Sequence, residues 1–181
     1  MLIKADKLKE FYPKFEDIDD ELLERRLSVI ESAIRNHTNN KFQNTFFRLQ
    51  TNVVNGKINW NTNYLKVDDT IEISDGPNKG LYTITSIPSN SEDYGIEVNK
   101  TLYDYPNQLI TKIEYPLDII EGAIDILDWE LLQKGKEKSG VASETISRHS
   151  VTYNQRNGDN TIKGYPVELF NFCEDYKCMR S

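Results

Sequence analysis

The sequence has little of the side-chain chemistry that metal and redox sites require. Its 181 residues include two cysteines and two histidines. Cys173 and Cys178 lie near the C-terminus, and neither His37 nor His149 shows metal-ligand spacing to the other or to the cysteines. We therefore interpret both cysteines as structural or incidental thiols, and we expect no metal site and no cofactor.

Long apolar runs are also lacking. No stretch approaches the roughly 18 apolar residues that a membrane-spanning helix needs, and residues 1–6 contain no signal-peptide hydrophobic region. We expect the chain to stay in a reducing cytoplasm. The net charge of -7 argues against a protein that wraps DNA by neutralising its phosphates. It is compatible with a protein that DNA merely passes.

Motifs of catalysis are missing as well. The sequence has no phosphate-binding glycine loop that leads into a helix, no nucleophile elbow and no paired-histidine metal motif. Residues 75–80 superficially resemble a phosphate loop, but they fall between two predicted strands and indicate a hairpin turn. His149 has Arg148 and Glu144 nearby but no partner nucleophile. We therefore predict no catalytic residues and no enzymatic activity.

A helix at about 116–134 is the predicted centre of the fold. Pro116 fits a first helical turn, and Asp118 and Glu121 place negative charge at the positive end of the helix dipole. Apolar residues then recur at steps of three and four, which gathers them on one broad stripe. Its members are Ile119, Ile120, Ala123, Ile124, Leu127, Leu131 and Leu132, and Ile126 and Trp129 widen it.

A second amphipathic helix is predicted at 17–37. Acidic residues are concentrated at the start of this helix, and Asp17 is a candidate N-cap. Glu31 and Arg35 are predicted to form an i,i+4 pair on its wet face. The buried stripe is predicted to contain Ile18, Leu22, Leu23, Leu27, Ile30, Ala33 and Ile34.

Between these helices the helical period disappears. β-branched and aromatic residues alternate with polar ones from 42 to 115, which predicts short strands. Asn55-Gly56 indicates a two-residue hairpin turn between strands at 46–54 and 57–60. Further strands are predicted at 65–67, 70–73, 81–87, 95–98 and 109–114.

These patterns predict an α+β fold. Two main amphipathic helices and a C-terminal helix form a small antiparallel helical core, into which a small β-sheet or barrel is inserted. The predicted domains are 1–42 together with 116–181 for the helical core, and 43–115 for the inserted β domain.

Three stretches of the chain resemble parts of a known family. The first reads DIDDELLERRLSVIESAIRNHTNNKF and the second is the helix at 116–134. The third, at 139–181, has a Gly-containing loop, a Ser-Val-Thr-Tyr strand and a Gly-Tyr-Pro start to a terminal helix; it contains Gly140, Val141, Ser143, Glu144, Ile146, Ser150, Val151, Thr152, Tyr153, Gly164, Tyr165 and Pro166. In order and spacing, over about 15–42 and 115–176, they resemble the head–tail connector (adaptor) proteins of tailed bacteriophages.

The resemblance implies a structural protein of the virion neck. Such proteins form a ring, twelvefold by this resemblance, beneath the portal vertex of the filled capsid. The ring extends the DNA channel and docks the stopper or tail protein. The implied partners are other copies of the chain, the portal protein, a stopper, head-completion or tail protein, and passing genomic DNA. The implied location is the virion, after a stage in the host cytoplasm.

Two sets of residues become candidate sites under this resemblance. The aromatic terminal segment is a candidate anchor on the portal or on a neighbouring subunit, because aromatic residues contribute much of the energy of interfaces. The equally weighted alternative is that the segment caps the helical pair of its own subunit. Its residues are Tyr165, Pro166, Phe170, Phe172 and Tyr176. Lys134, Lys136 and Lys138 could face the channel, although a solvated loop explains them more simply.

A different function is the main alternative. The chain could be a small intracellular adaptor that binds a protein or a nucleic acid through the inserted β-barrel. Such a module is expected to stay monomeric, whereas a connector is expected to form rings.

Overall fold

The computed structural model describes residues 2–60, 64–88, 95–133, 143–146, 149–152 and 161–179. The chain divides into two compact units, Lys41–Tyr115 and the pair Leu2–Asn40 with Pro116–Ser181. The first unit consists of strands and the second is mainly helical, so the predicted α+β class is confirmed. Within the described ranges, none of the helices has the length and apolar character needed to cross a membrane.

In the part of the first unit that the structure describes, six antiparallel strands form a sheet. They are β1 Gln43–Val54, β2 Lys57–Ile58, β3 Thr70–Ile73, β4 Gly80–Ser86, β5 Glu97–Val98 and β6 Tyr105–Ile113, in the sheet order β2-β1-β6-β3-β4-β5. Ile58 pairs with Ile96 through two backbone hydrogen bonds of 3.0 and 2.9 Å, which joins the two ends of this order. The sheet is therefore a small barrel, one of the two forms that the strand pattern predicts.

Local turn chemistry sets the register of the barrel. Val54 pairs with Lys57, so the loop between β1 and β2 is Asn55-Gly56, as predicted. Both loop residues have positive φ, 52° and 72°, which asparagine and glycine tolerate and which suits the twist of a hairpin. Residues 75–79 likewise lie in the turn between β3 and β4, and Gly80 is the first residue of β4. The strand predicted at 65–67 does not form.

The barrel interior is mainly apolar, although Gln108 of β6 is also fully buried. Strand residues that alternate along β1, β3, β4 and β6 point inward, as the two-residue period of a strand requires. The interior cluster contains Leu49, Val53, Ile58, Leu65, Ile71, Ile73, Tyr82, Ile84, Ile96, Leu102 and Ile110.

The described residues of the second unit include three α-helices. They are α1 Ala5–Phe11, α2 Asp20–Thr38 and α3 Leu117–Asp128; a short 3-10 helix, Pro13–Phe15, follows α1, and a π-helical turn, Trp129–Gln133, continues α3. The two main helices, α2 and α3, contact each other as predicted. The N-cap of α2 is Asp19 rather than the predicted Asp17, because the Asp19 carboxylate accepts a hydrogen bond of 3.0 Å from the Leu22 amide.

The end of the chain completes the helical unit. Two short strand pairs, β7 Ser143–Ile146 with β8 His149–Thr152 and β9 Thr161–Ile162 with β10 Tyr165–Pro166, precede a terminal 3-10 helix, Val167–Tyr176. The terminal 3-10 helix contacts both α2 and α3. The buried apolar residues of these elements include Leu8, Phe15, Leu23, Leu27, Ile30, Ile34, Ile119, Ile124, Leu127 and Phe170.

One charged residue of α2 differs from its prediction. Glu31 was predicted on the wet face with Arg35, but it is only 5% exposed. Leu22, predicted in the buried stripe, is 38% exposed. The buried face of α2 therefore does not coincide with its apolar stripe, and the pattern of apolar residues alone does not show this.

Candidate partner-binding segment of the helical unit

The terminal segment begins with a tyrosine that points into its own unit. Tyr165 is 6% exposed, and its hydroxyl donates a hydrogen bond of 3.0 Å to Glu130 Oε2. Arg26 Nη1 donates 2.9 Å to the other oxygen of the same carboxylate. Burial, and then the Glu130 hydrogen bond, raise the pKa of Tyr165 to about 12. This side chain therefore stays neutral at physiological pH and joins β10 to α2 and to the π-helical turn.

An aromatic cluster surrounds this tyrosine. The Tyr165 ring lies 6.0 Å from the Trp129 ring and 6.2 Å from the Phe170 ring, centroid to centroid. Phe170 is fully buried, and its ring also meets the edge of the His37 ring at 5.4 Å. These separations are typical of stabilising aromatic pairs. Two of the predicted anchors, Tyr165 and Phe170, thus belong to the core of the helical unit.

The Phe172 ring packs closely against a glycine of α3. A Cβ placed on Gly122 would stand 2.3 to 2.5 Å from three carbons of the Phe172 ring. Only a residue without a side chain permits this approach, so Gly122 allows the terminal 3-10 helix to pack closely on α3. Phe172 itself is partly exposed.

Tyr176 ties the end of the terminal 3-10 helix to the start of α3. Its hydroxyl lies 2.7 and 2.9 Å from the two carboxylate oxygens of Asp118. The hydrogen bond to Asp118 is the main cause of the raised pKa of Tyr176, since it favours the protonated phenol. This contact makes Asp118 a structural partner as well as a charge near the helix N-terminus.

The last residues fasten onto the end of α2. The Cys178 amide donates a hydrogen bond of 2.8 Å to the Thr38 carbonyl, and Asn40 Nδ2 donates 3.1 Å to the Tyr176 carbonyl. Asn39, in the left-handed conformation at the C-cap of α2, donates from Nδ2 to the Met179 carbonyl at 3.3 Å. The Cys178 amide therefore satisfies a C-terminal carbonyl of α2 that lacks a partner within the helix, and the two asparagine side chains satisfy carbonyls of the terminal segment.

These contacts favour the alternative that the terminal segment caps the helical pair of its own subunit. A role of the same residues in binding a partner remains a prediction, and it is restricted to the outer side of the segment. Pro166 is partly exposed, Val167 is 40% exposed and Met179 is 96% exposed. The lysines predicted near the channel, Lys134, Lys136 and Lys138, lie outside the described residues.

Several residues that organise this segment were not identified from the sequence. Glu130 accepts from both Arg26 and Tyr165 but looks like an ordinary helix-surface residue in the pattern. Gly122 carried a usable signal, because a glycine inside a helix is costly and usually has a packing reason. Among the described residues, no group of three or more His, Cys, Asp or Glu is placed to hold a metal ion.

Comparison with known proteins adds no family to this picture. No model of a protein family matches the chain, and no curated protein matches its sequence.

Proposed function

We propose that this chain is a structural neck protein of a tailed bacteriophage, which forms a ring beneath the portal, extends the DNA channel and docks stopper or tail proteins. The observation that carries the proposal is how the family-like stretches fold. The two stretches, 15–42 and 115–176, lie far apart in the sequence, yet α2, α3 and the terminal 3-10 helix pack into one unit. The barrel between them is a separate unit. An inserted barrel in a connector-like helical unit accounts for this arrangement.

The proposal locates the protein in the virion neck, after a stage in the host cytoplasm. The net charge of -7 suits a ring that DNA crosses, because a strongly basic wall would retain the phosphates. Rings form when one contact between two different faces repeats and closes, so each subunit needs a pair of complementary surfaces.

The first test is the mass of the purified chain, alone and mixed with the portal protein of the same phage. Light scattering and negative-stain images of a ring, either free or seated on the portal, would support the proposal. A chain that remains monomeric and does not bind portal would overturn it.

A sharper test uses the exposed side of the terminal segment. Deleting the segment would remove Phe170 from the core and confound folding with binding. Val167→Asp and Met179→Asp instead change exposed side chains. If the segment docks on the portal, we expect these variants to keep the wild-type circular dichroism spectrum and to bind portal more weakly. Unchanged portal binding by both variants would show that the terminal segment is not part of the docking surface.

A second candidate function has one observation in its favour. The barrel carries exposed aromatic side chains, with Tyr64 77% exposed and Tyr103 67% exposed, and such residues can serve a binding adaptor. An adaptor would be monomeric at all concentrations and indifferent to portal, so the same mass measurement separates the two functions.

A further inference from the structure

A bulge in β1 presents a phenylalanine to solvent. Gln43 pairs with Ile113 and Arg48 pairs with Thr111, so five steps along β1 match two steps along β6. The extra residues, 44–47, form what we call the Phe46 bulge. Phe46 is 99% exposed, while its neighbour Phe47 packs against the barrel interior. A phenylalanine that stays in water contributes none of its burial energy to folding, so the stability of the barrel does not explain its position.

Side chains hold the Phe46 bulge in shape. The Phe46 amide donates 2.8 Å to Asn44 Oδ1, and Asn44 Nδ2 donates 2.7 Å to Glu114 Oε2. At the other end, Arg48 Nη2 donates 3.1 Å to Gln43 Oε1. The exposed ring therefore sits on a backbone that is already ordered, which reduces the entropy that binding would cost.

A complementary face lies on the exposed side of α2. Leu22, Arg25 and Val29 are spaced by three and four residues and so share one side of the helix. Leu22 is 38% exposed and Val29 is 48% exposed, which leaves an apolar pair with a guanidinium between them. We call these three residues the α2 face. A phenyl ring can contact both aliphatic side chains while Arg25 stacks on it as a cation–π partner.

The two surfaces differ in net charge: the cation Arg25 within the α2 face offsets one of its two flanking carboxylates, and Glu114 beside the Phe46 bulge is paired with Lys112 at 3.3 Å. Arg48 flanks the Phe46 bulge, and Glu21 and Glu24 flank the α2 face. Within the described ranges of the chain, none of these three residues forms an ion pair with another residue. An unpaired cation beside one surface and unpaired carboxylates beside the other favour their association.

We propose that the Phe46 bulge of one copy binds the α2 face of the next copy, and that this contact repeats around an oligomer. The inference rests on the proposed function, because a ring requires one such contact between two different faces. The partner is a second copy of this chain, and the contact is apolar at its centre and ionic at its edge.

The test measures self-association of the full-length chain by sedimentation velocity over a concentration series. We expect Phe46→Ser, and separately the pair Leu22→Ser with Val29→Ser, to raise the midpoint concentration about 30-fold, the effect of losing an interface hot spot. Tyr103→Ser is the matched control, since it removes another exposed aromatic of the barrel and should leave the midpoint unchanged. Circular dichroism verifies that each variant folds.

A charge exchange tests the pairing itself. We expect Arg48→Glu alone and Glu24→Arg alone each to weaken association severalfold, and the double variant to recover most of the loss. Failure of the double variant to recover would overturn the pairing of these two surfaces. Undiminished association of Phe46→Ser, or a wild-type chain that stays monomeric, would overturn the contact as a whole.

Failure of this contact and failure of the proposed neck function give different results. If the wild-type chain binds portal and Phe46→Ser associates normally, the neck function is supported and the proposed contact is refuted. If association depends on Phe46 but the wild-type chain does not bind portal, the contact is supported and the neck function is refuted.

Discussion

The contact between Gly122 and Phe172 allows a quantitative test of how the terminal 3-10 helix packs on α3. The perturbation is Gly122→Ala. In an exposed helix interior this change stabilises a protein by about 1 kcal/mol, because alanine is the better helix former. Here the added Cβ would lie within 2.5 Å of the Phe172 ring, so the ring must move. Overpacking of this kind costs about 1–3 kcal/mol.

We therefore expect Gly122→Ala to lower the free energy of unfolding by up to about 2 kcal/mol in the wild-type background, from the balance of these two terms. In a Phe172→Ala background the clash is gone, and the same change should raise the free energy of unfolding by about 1 kcal/mol. The double-mutant cycle isolates the difference as a coupling energy of about 1–3 kcal/mol.

The assay is urea denaturation of the four proteins, monitored by circular dichroism and by tryptophan fluorescence. The four free energies of unfolding can be compared directly when the four m-values agree. Phe172→Ala alone is destabilising, so the effect of adding Gly122→Ala in that background is measured relative to the Phe172→Ala protein. If Gly122→Ala stabilises both backgrounds equally, the Phe172 ring does not lie on Gly122 in solution, and the close packing described above is refuted.

Three further predictions follow from local contacts. Asp19→Ala should lower the free energy of unfolding by about 1 kcal/mol by removing the N-cap of α2, and Asp17→Ala, which removes no cap, is the control in the same urea titration. The pKa of Tyr165 is raised to about 12, so its contribution to stability is complete below pH 10 and is lost between about pH 10 and 12. In Tyr165→Phe, the free energy of unfolding should therefore decline less steeply over that range. An equally steep decline in the variant would contradict the raised pKa. Burial raises the pKa of the Cys173 thiol to about 12 while Cys178 is exposed, so a thiol reagent at pH 8 should modify Cys178 rapidly and Cys173 only on unfolding, as mapped by mass spectrometry.

Features set by neighbouring residues could be predicted from the sequence. The Asn55-Gly56 hairpin, the turn at 75–79 and the existence of α2 and α3 depend on local turn chemistry and on the helical period. The predicted strand at 65–67 did not form, although Leu65 is buried in the barrel interior. A short apolar stretch can fill a core without joining a sheet, and strand propensity does not distinguish the two cases.

Features set by distant residues could not be predicted. Closure of the barrel depends on one pair, Ile58 with Ile96, whose partners are far apart in the sequence. The Phe46 bulge depends on the register between β1 and β6, which the alternation of residues in β1 alone does not determine. In the candidate site, the aromatic content of the terminal segment was visible, but the inward direction of Tyr165 follows from Glu130 and Arg26 on other elements.

The inward direction of these aromatics changes where a partner is to be sought. A chain of 181 residues that forms two units has two small cores, and small units bury a lower fraction of their surface than large ones. Large aromatic side chains such as Phe170 are therefore needed inside, and aromatic composition by itself is weak support for an interface. An aromatic residue that such a unit leaves in water is stronger support. Phe46 meets that condition, because its backbone is held by Asn44 while its ring contributes no core packing. The docking surfaces of a connector built on this fold are accordingly expected at the barrel and at the exposed side of α2 rather than among the buried aromatics of the terminal segment.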